Sequence, residues 1–248
     1  MSIYHLPIDS PSKSDKIGKI TTLATLTTEE KMQDKSFSLK KILNDGIIPV
    51  VRASSAEDAL RIVDAIKEGG IDTIEITMTI PDAIQVMETI AKKFENDVLL
   101  GAGTVLDAET ARVSILAGAE YIVSPCFNED LIKMCKRYSK IAIPGAMTPT
   151  EILNAWEKGA DIVKVFPVDQ LGGPAYIRAL KAPLPHILLD PTGGVNLENV
   201  TDYIKAGAAC VSVGSSLVDK KAIAEGKFEI ITKRAREFMR RIKEARNY

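Results

Sequence analysis

Histidine is almost absent from this chain: among 248 residues only His5 and His186 carry an imidazole. A catalytic or structural zinc centre built on histidine ligands is therefore improbable. Cysteine is nearly as scarce. Cys126, Cys135 and Cys210 form an odd set at spacings that match no metal-ligand pattern. They are expected to be free thiols, which fits a cytoplasmic location. Neither sign of charge is in excess; the formal net charge is −1, so nothing draws the chain to nucleic acid or to an anionic membrane. No apolar run approaches the ~20 residues that cross a bilayer. The N-terminus has no basic stretch leading into an apolar core, so no secretory signal is expected. Asp9, Asp15 and Glu29 argue against an organelle transit segment.

The remaining composition, 46% hydrophobic and 26% charged, is that of a globular protein. Its length suits one large α/β domain or two small ones. Residues 1–35 are rich in Ser, Thr and Lys and show no sustained hydrophobic period. They read as an N-terminal extension, partly disordered or helical, with a partner- or oligomer-contacting arm as the alternative. A cap at Ser36 or Ser38 then predicts a short helix through Leu39, Ile42 and Leu43 that stops at Gly46.

From Ile47 on, a short apolar strand, a polar turn and an amphipathic helix recur. The predicted strands are Ile47–Arg52, Thr73–Thr77, Val98–Thr104, Tyr121–Pro125, Ile141–Ala146, Ile162–Pro167, Ile187–Thr192 and Cys210–Ser215, starting roughly 20–26 residues apart. A final helix is predicted from about Phe228 to Ala245. Eight such units point to a closed (β/α)8 TIM barrel, one domain over residues 36–248. An open dinucleotide-binding sheet should carry GxGxxG after its first strand. Here that strand ends in Arg52-Ala53-Ser54-Ser55, and Gly101-Ala102-Gly103-Thr104 is GxG only, within the third strand.

The polar residues of this pattern sit where a barrel keeps its chemistry. Alternation puts Ile162, Lys164 and Phe166 on one face of the sixth strand, and Val163 and Val165 on the other. Burying the ammonium costs several kcal/mol unless it is paired or neutral. Lys164 is thus either half of a structural ion pair or an amine placed to attack a carbonyl. In the second strand Glu75 points inward between Ile74 and Ile76. It can be the structural partner of Lys164, a general acid/base, or both. Arg52, at the end of the first strand, is either solvated or a clamp for an anionic group. Glycines and hydroxyls follow strands seven (Asp190-Pro191-Thr192-Gly193-Gly194) and eight (Val213-Gly214-Ser215-Ser216). They can be turn chemistry. They are also what a barrel phosphate site needs, backbone amides open to approach and helix N-termini behind them. Cys126 reads as a spectator thiol, Trp156 with Leu153 as helix packing, and Lys233 to Lys243 as a solvated basic helix face rather than a nucleic-acid patch.

Taken together, the runs Ile74-Glu75-Ile76-Thr77, Gly101-Ala102-Gly103-Thr104-Val105, Ile122-Val123-Ser124-Pro125, Pro144-Gly145, Val163-Lys164-Val165-Phe166-Pro167, Pro191-Thr192-Gly193-Gly194-Val195 and Val213-Gly214-Ser215 occur in the order found in one family. From about Leu39 to its end the chain resembles the class I 2-keto-3-deoxy-6-phosphogluconate aldolases, which include the 4-hydroxy-2-oxoglutarate aldolases. The resemblance implies a homotrimeric barrel without cofactor or metal. It would cleave a phosphorylated 2-keto acid reversibly into pyruvate and glyceraldehyde 3-phosphate. It assigns Lys164 as the Schiff-base lysine and Glu75 as general acid/base. Thr104 and Thr192 would contact substrate, and Gly193, Gly194, Gly214 and Ser215 would bind phosphate. One position departs from the pattern. Many members hold the pyruvyl carboxylate with an arginine where this chain has Thr79, and Arg52 on the neighbouring strand is the candidate replacement. The rival readings are a 4-hydroxy-2-oxoglutarate or 2-keto-3-deoxy-6-phosphogalactonate aldolase of the same chemistry, a phosphate-binding barrel isomerase or decarboxylase with no covalent step, and a non-catalytic scaffold.

Overall fold

The structure, a computed structural model, describes residues 34–247. The extension expected over residues 1–35, with its alternative of a contacting arm, lies outside the described residues except for Asp34 and Lys35. Helix α1 (Lys35–Asp45) opens the fold. Its cap is neither Ser36 nor Ser38 but Asp34, whose carboxylate accepts the Ser36 N–H at 2.9 Å. A carboxylate just ahead of the serines starts the helix early and leaves Ser38 buried inside it. The helix stops at Gly46, at φ 67°, as the glycine predicts.

All eight predicted strands form. They are β1 (Ile47–Val51), β2 (Thr73–Thr77), β3 (Leu99–Gly103), β4 (Tyr121–Val123), the pair β5 (Ile141–Ile143) and β6 (Gly145–Ala146), β7 (Val163–Val165), β8 (Leu189–Pro191) and β9 (Val211–Val213). The strand predicted over Ile141–Ala146 is split by Pro144, which has no N–H to give a ladder. Every pairing is parallel. One sheet runs β5-β4-β3-β2-β1-β9 and the other β6-β7-β8. They meet at Pro144, and again where Thr192 and Ser212 form an isolated parallel bridge. The result is an α/β fold with a curled parallel sheet.

The connecting helices are α2 (Ala56–Glu68), α3 (Ala83–Phe94), α4 (Ala108–Leu116), α5 (Glu129–Arg137), α6 (Pro149–Glu157), α7 (Pro174–Lys181), α8 (Val200–Lys205), α9 (Lys220–Ala224) and α10 (Glu229–Arg246). Side chains start several of them: Ser55 accepts from Asp58, Asn128 from Leu131, and Thr148 with Glu151 closes a capping box. Their apolar stripes, such as Ile62, Val63 and Ile66 on α2, pack against Ile74, Ile76, Val163, Val165, Val211 and Val213 on the sheet. Among the described residues, no helix is long and apolar enough to cross a membrane.

The opposite faces of the strands fill the interior. Ile48, Leu99, Tyr121, Ile141, Ile162 and Cys210 form a separate apolar cluster. Most of these residues begin or just precede their strands, so the cluster floors the N-terminal ends, and Val123 and Ile143 extend it to the far ends of β4 and β5. Ile42 and Leu39 of α1 close it from below. The C-terminal ends are thereby left for polar groups. Ile42 is fully buried at this closure. Ile42→Ala is expected to lower unfolding free energy by about 2–4 kcal/mol, read from the midpoint shift in urea at constant m-value.

Candidate active site

Above the apolar floor, one level of the interior is polar. On the first sheet it consists of Glu75, which register sets between Val50 and Gly101 on β1 to β3, and of the Tyr121 hydroxyl, whose ring belongs to the floor. It continues through Gly145, Lys164 and Asp190 on β6 to β8. Glycine is needed at two places. A Cβ on Gly101 would overlap the Tyr121 ring, and one on Gly103 would overlap Glu75 Oε1. The GxG run therefore makes room for two large inward side chains, and does not cradle a nucleotide.

A cavity of about 540 Å³ opens over this level. Arg52, Thr79, Thr104, Lys164, Thr192, Gly193, Gly194, Gly214 and Ser215 all line it, so nine of the ten expected site residues share one chamber. The tenth, Glu75, lies just beneath, 1% exposed. Thr104 is held at φ 60°, a left-handed conformation that a β-branched residue rarely adopts. Thr77 Oγ1 donates to Val51 O at 3.1 Å and shares a 2.8 Å hydrogen bond with Thr79 Oγ1. Beside this pair Arg52 stands exposed at the rim.

The far wall is made of the loops after β8 and β9. Gly193 and Gly194 have φ of 96° and 72°, which only glycine adopts freely. The backbone N–H groups of Gly193, Gly194, Ser215 and Ser216 reach no acceptor among the described residues. The helix ends expected behind these loops are not positioned to help, because α8 and α9 begin only at Val200 and Lys220 and are one to two turns long. Unpaired loop amides, with Lys220 on the same wall, are what this end offers an anion.

Lys164 is 6% exposed, with its Nζ 5.1 Å from the Phe166 ring centroid. Two buried carboxylates face it. Burial pushes Glu75 up, against the pull of Lys164 and Arg52, and its Oε2 has no hydrogen-bond partner among the described residues. Burial also pushes Asp190 up to about 7, against Lys164 and a 2.7 Å hydrogen bond from Ser212. Asp190 Oδ1 and the Tyr121 hydroxyl are likewise without a partner among the described residues. Three orphaned polar atoms in one interior are uncommon in a merely structural network. Cys126 is exposed just past β4, while Trp156 packs on the core and meets His186 edge-on at 6.0 Å.

Sequence reasoning did not single out Asp190, Tyr121, Ser212 or Lys220. Asp190 and Ser212 had a signal. Alternation along Ile187–Thr192 puts Leu188, Asp190 and Thr192 inward, and the same rule turns Cys210 and Ser212 inward. Lys220 had none, because its approach to the cavity depends on how the loop after β9 folds back.

A family model for KDPG and KHG aldolase matches residues 39–234. A 2-dehydro-3-deoxy-phosphogluconate aldolase from Treponema pallidum is 38% identical over 186 residues, 75% of this chain and 88% of its own length. Among solved structures, a native KDPGal structure superposes with a TM-score of 0.76 at 32% identity, covering 82% of this chain and 96% of its own. The KDPG aldolase of Legionella pneumophila, captured with pyruvate as a covalent carbinolamine, superposes at 0.72 with 28% identity, covering 85% and 97%.

The raised Asp190 carboxyl fixes the sign of a pH effect. Burial raises the folded Asp190 carboxyl from its ordinary 3.8 to about 7. Stability from this group is therefore full below about pH 4 and lost as pH rises towards 7, by something on the order of 4 kcal/mol. Melting temperature should be lower at pH 8 than at pH 5. Asp190→Asn should narrow that gap and be more stable than the parent at pH 8, as read by calorimetry.

Proposed function

The chain belongs to the KDPG and KHG aldolase family, and we propose that its cavity cleaves 2-keto-3-deoxy-6-phosphogluconate to pyruvate and glyceraldehyde 3-phosphate through a Schiff base on Lys164. It is a carbon–carbon lyase of the class I aldolase type. The observation that carries the residue assignment is the shared chamber: one buried lysine beside a buried glutamate, with unpaired loop amides on the opposite wall.

The geometry supports the following sequence. Substrate enters with its phosphate against Gly193, Gly194, Gly214 and Ser215 and its C2 ketone over Lys164. The neutral amine attacks C2, and the carbinolamine loses water to give an iminium, which can accept an electron pair. Glu75, directly or through water, takes the C4 hydroxyl proton, and the C3–C4 bond breaks. The aldehyde phosphate leaves. The enamine regains a proton at C3 from Glu75, and water releases pyruvate. Thr104 and Thr192 contact the substrate's hydroxyls. Arg52, with Thr79 beside it, holds the pyruvyl carboxylate by a charge-assisted pair. No step asks for a metal or a cofactor.

The same reading extends to the architecture. The two sheets, joined at Pro144 and at the Thr192–Ser212 bridge, are the two arcs of a closed (β/α)8 barrel over residues 36–248, behind an extension. Leu106, Val113, Leu116, Met147 and Leu153 stand 40–63% exposed. Val113 and Leu116 lie three residues apart on α4 and so share one exposed apolar face, which favours a subunit contact in a cytoplasmic homotrimer. One second reading has support. A neighbour of 0.76 TM-score is KDPGal, and the family model spans KHG enzymes too. The galactonate epimer and 4-hydroxy-2-oxoglutarate are therefore the competing substrates.

Borohydride added with pyruvate should leave a reduced adduct on Lys164, mapped by mass after digestion. Lys164→Met should abolish both the adduct and turnover. An adduct elsewhere, or none, removes the Schiff-base assignment. Comparing kcat/KM for the three keto acids decides among the substrates. Arg52→Ala is expected to weaken pyruvate binding about tenfold or more. Unchanged affinity would remove Arg52 as the clamp.

A further inference from the structure

We infer that Asp190 is a positioning residue for Schiff-base formation: it takes the proton Lys164 must shed before attack and returns it to the hydroxyl expelled from the carbinolamine. This rests on the reading of Lys164 as the Schiff-base lysine. It adds a second carboxylate to the chemistry and leaves Glu75 to the protons of C–C cleavage.

Four observations converge. Lys164 and Asp190 are direct register partners on adjacent parallel strands. Both side chains turn inward, since Val163, Val165 and Leu189 belong to the outer core. Asp190 is completely buried, yet only one of its oxygens is held. Oδ2 accepts from Ser212 Oγ at 2.7 Å and from Thr192 Oγ1 at 3.4 Å, while Oδ1 has no partner among the described residues. Ser212 and Thr192 line the cavity, as Lys164 does, whereas Asp190 does not. Two hydroxyls therefore connect the buried carboxylate to the volume where the keto acid must lie. A carboxylate that merely anchored Ser212 and Thr192 would leave Oδ1 unexplained.

The charges around Asp190 are few. Lys164 faces it from β7, Glu75 from β2, Tyr121 from β4 and Cys210 from the residue before β9. Tyr121 and Cys210 are pushed well up by burial and stay neutral. Lys164 is thus the one cation of the set. With Asp190 raised to about 7, the carboxylate can both accept and release a proton near neutrality.

The protons balance. Lys164 ammonium and Asp190 carboxylate become amine and acid. The amine nitrogen bonds to C2, and one of its own protons ends on the former carbonyl oxygen. The carbinolamine hydroxyl then leaves as water with the proton from Asp190, passed through Thr192 or Ser212. An iminium and an ionised Asp190 remain, so the charge of the pair is the same before and after.

The test is the pH dependence of pyruvate–borohydride trapping on the full chain. The parent should lose rate on the acid side with a midpoint near 7. Asp190→Asn should trap about a hundredfold more slowly at pH 7.5 and lose that midpoint, its rate climbing steadily with pH. Ser212→Ala removes a hydrogen bond to the ionised carboxylate, so its midpoint should move to higher pH. A midpoint shared by the parent and the variants would overturn the inference, because a structural role changes amplitude and not midpoint. If Asp190→Asn does not fold, Ser212→Ala decides alone. No adduct on Lys164 in the parent at any pH would overturn the Schiff-base reading itself. An adduct with unmoved midpoints would overturn only the role of Asp190.

Discussion

One buried cation between two buried carboxylates is the constraint on which the rest of this interior depends. Removing any one of these charges from water costs several kcal/mol, and the cost is offset only by close pairing and hydrogen bonding. Here the pairing is incomplete. Among the described residues no ion pair within 4 Å joins Lys164 to Glu75 or Asp190. Lys164 acts on both carboxylates through its field, and among the described residues each keeps an oxygen with no partner. A lysine locked in a tight salt bridge would be a poor nucleophile. A lysine with no carboxylate nearby would have nowhere to send its proton. The observed spacing avoids both extremes, at a cost in stability that the surrounding core must offset.

That offset comes from the way a parallel sheet divides its own interior. All strands point the same way, so their N-terminal ends gather at one end of the curl and their C-terminal ends at the other. Ile48, Leu99, Tyr121, Ile141 and Ile162 fill the first end, and α1 seals it with Ile42. The polar level sits immediately above, and the loops that leave the strands close over it. The apolar floor excludes water from beneath Glu75 and Asp190. This is why burial, and not neighbouring charge, is the largest influence on both.

Much of this was legible in the sequence because the physics involved is local. Period-two alternation placed Ile74 and Ile76 outward and Glu75 inward, and it did the same for Val163, Lys164 and Val165. Glycine stopped α1 at Gly46. Three of the failures have equally local causes, and the rest do not. Pro144 breaks a strand that hydrophobicity alone ran through from Ile141 to Ala146. The cap of α1 moved to Asp34 because a carboxylate was available just before the serines. Asp190 escaped notice because it lies in a Pro-Thr-Gly-Gly turn signature, and the signature drew the reading away from the alternation. The help expected from helix ends at Gly193 and Ser215 required knowing where α8 and α9 begin, which no single loop reveals. Lys220 reaches the cavity only through tertiary folding.

Thr79 remains the instructive departure. An arginine there would stand two residues beyond Thr77 on β2. In this chain the proposed cation is instead Arg52, which register sets level with Thr77 one strand away. The hydroxyls of Thr77 and Thr79 bond to each other and that of Thr77 donates to Val51 O, so they close the end of β2 without charge. Moving the guanidinium to β1 changes more than its address. Arg52 is one of the two charges that pull Glu75 towards ionisation. A substrate carboxylate seated on Arg52 would cancel that field by its own negative charge. Glu75 would then hold a proton more readily once substrate is bound than before. That is the direction its proposed task requires, since the carboxylate must accept the C4 hydroxyl proton as the bond breaks and keep it until the enamine needs it. On this argument the replacement of the family arginine couples the binding of the carboxylate to the readiness of the base. The two residues with the least ordinary placement, Thr79 and Arg52, become parts of one arrangement.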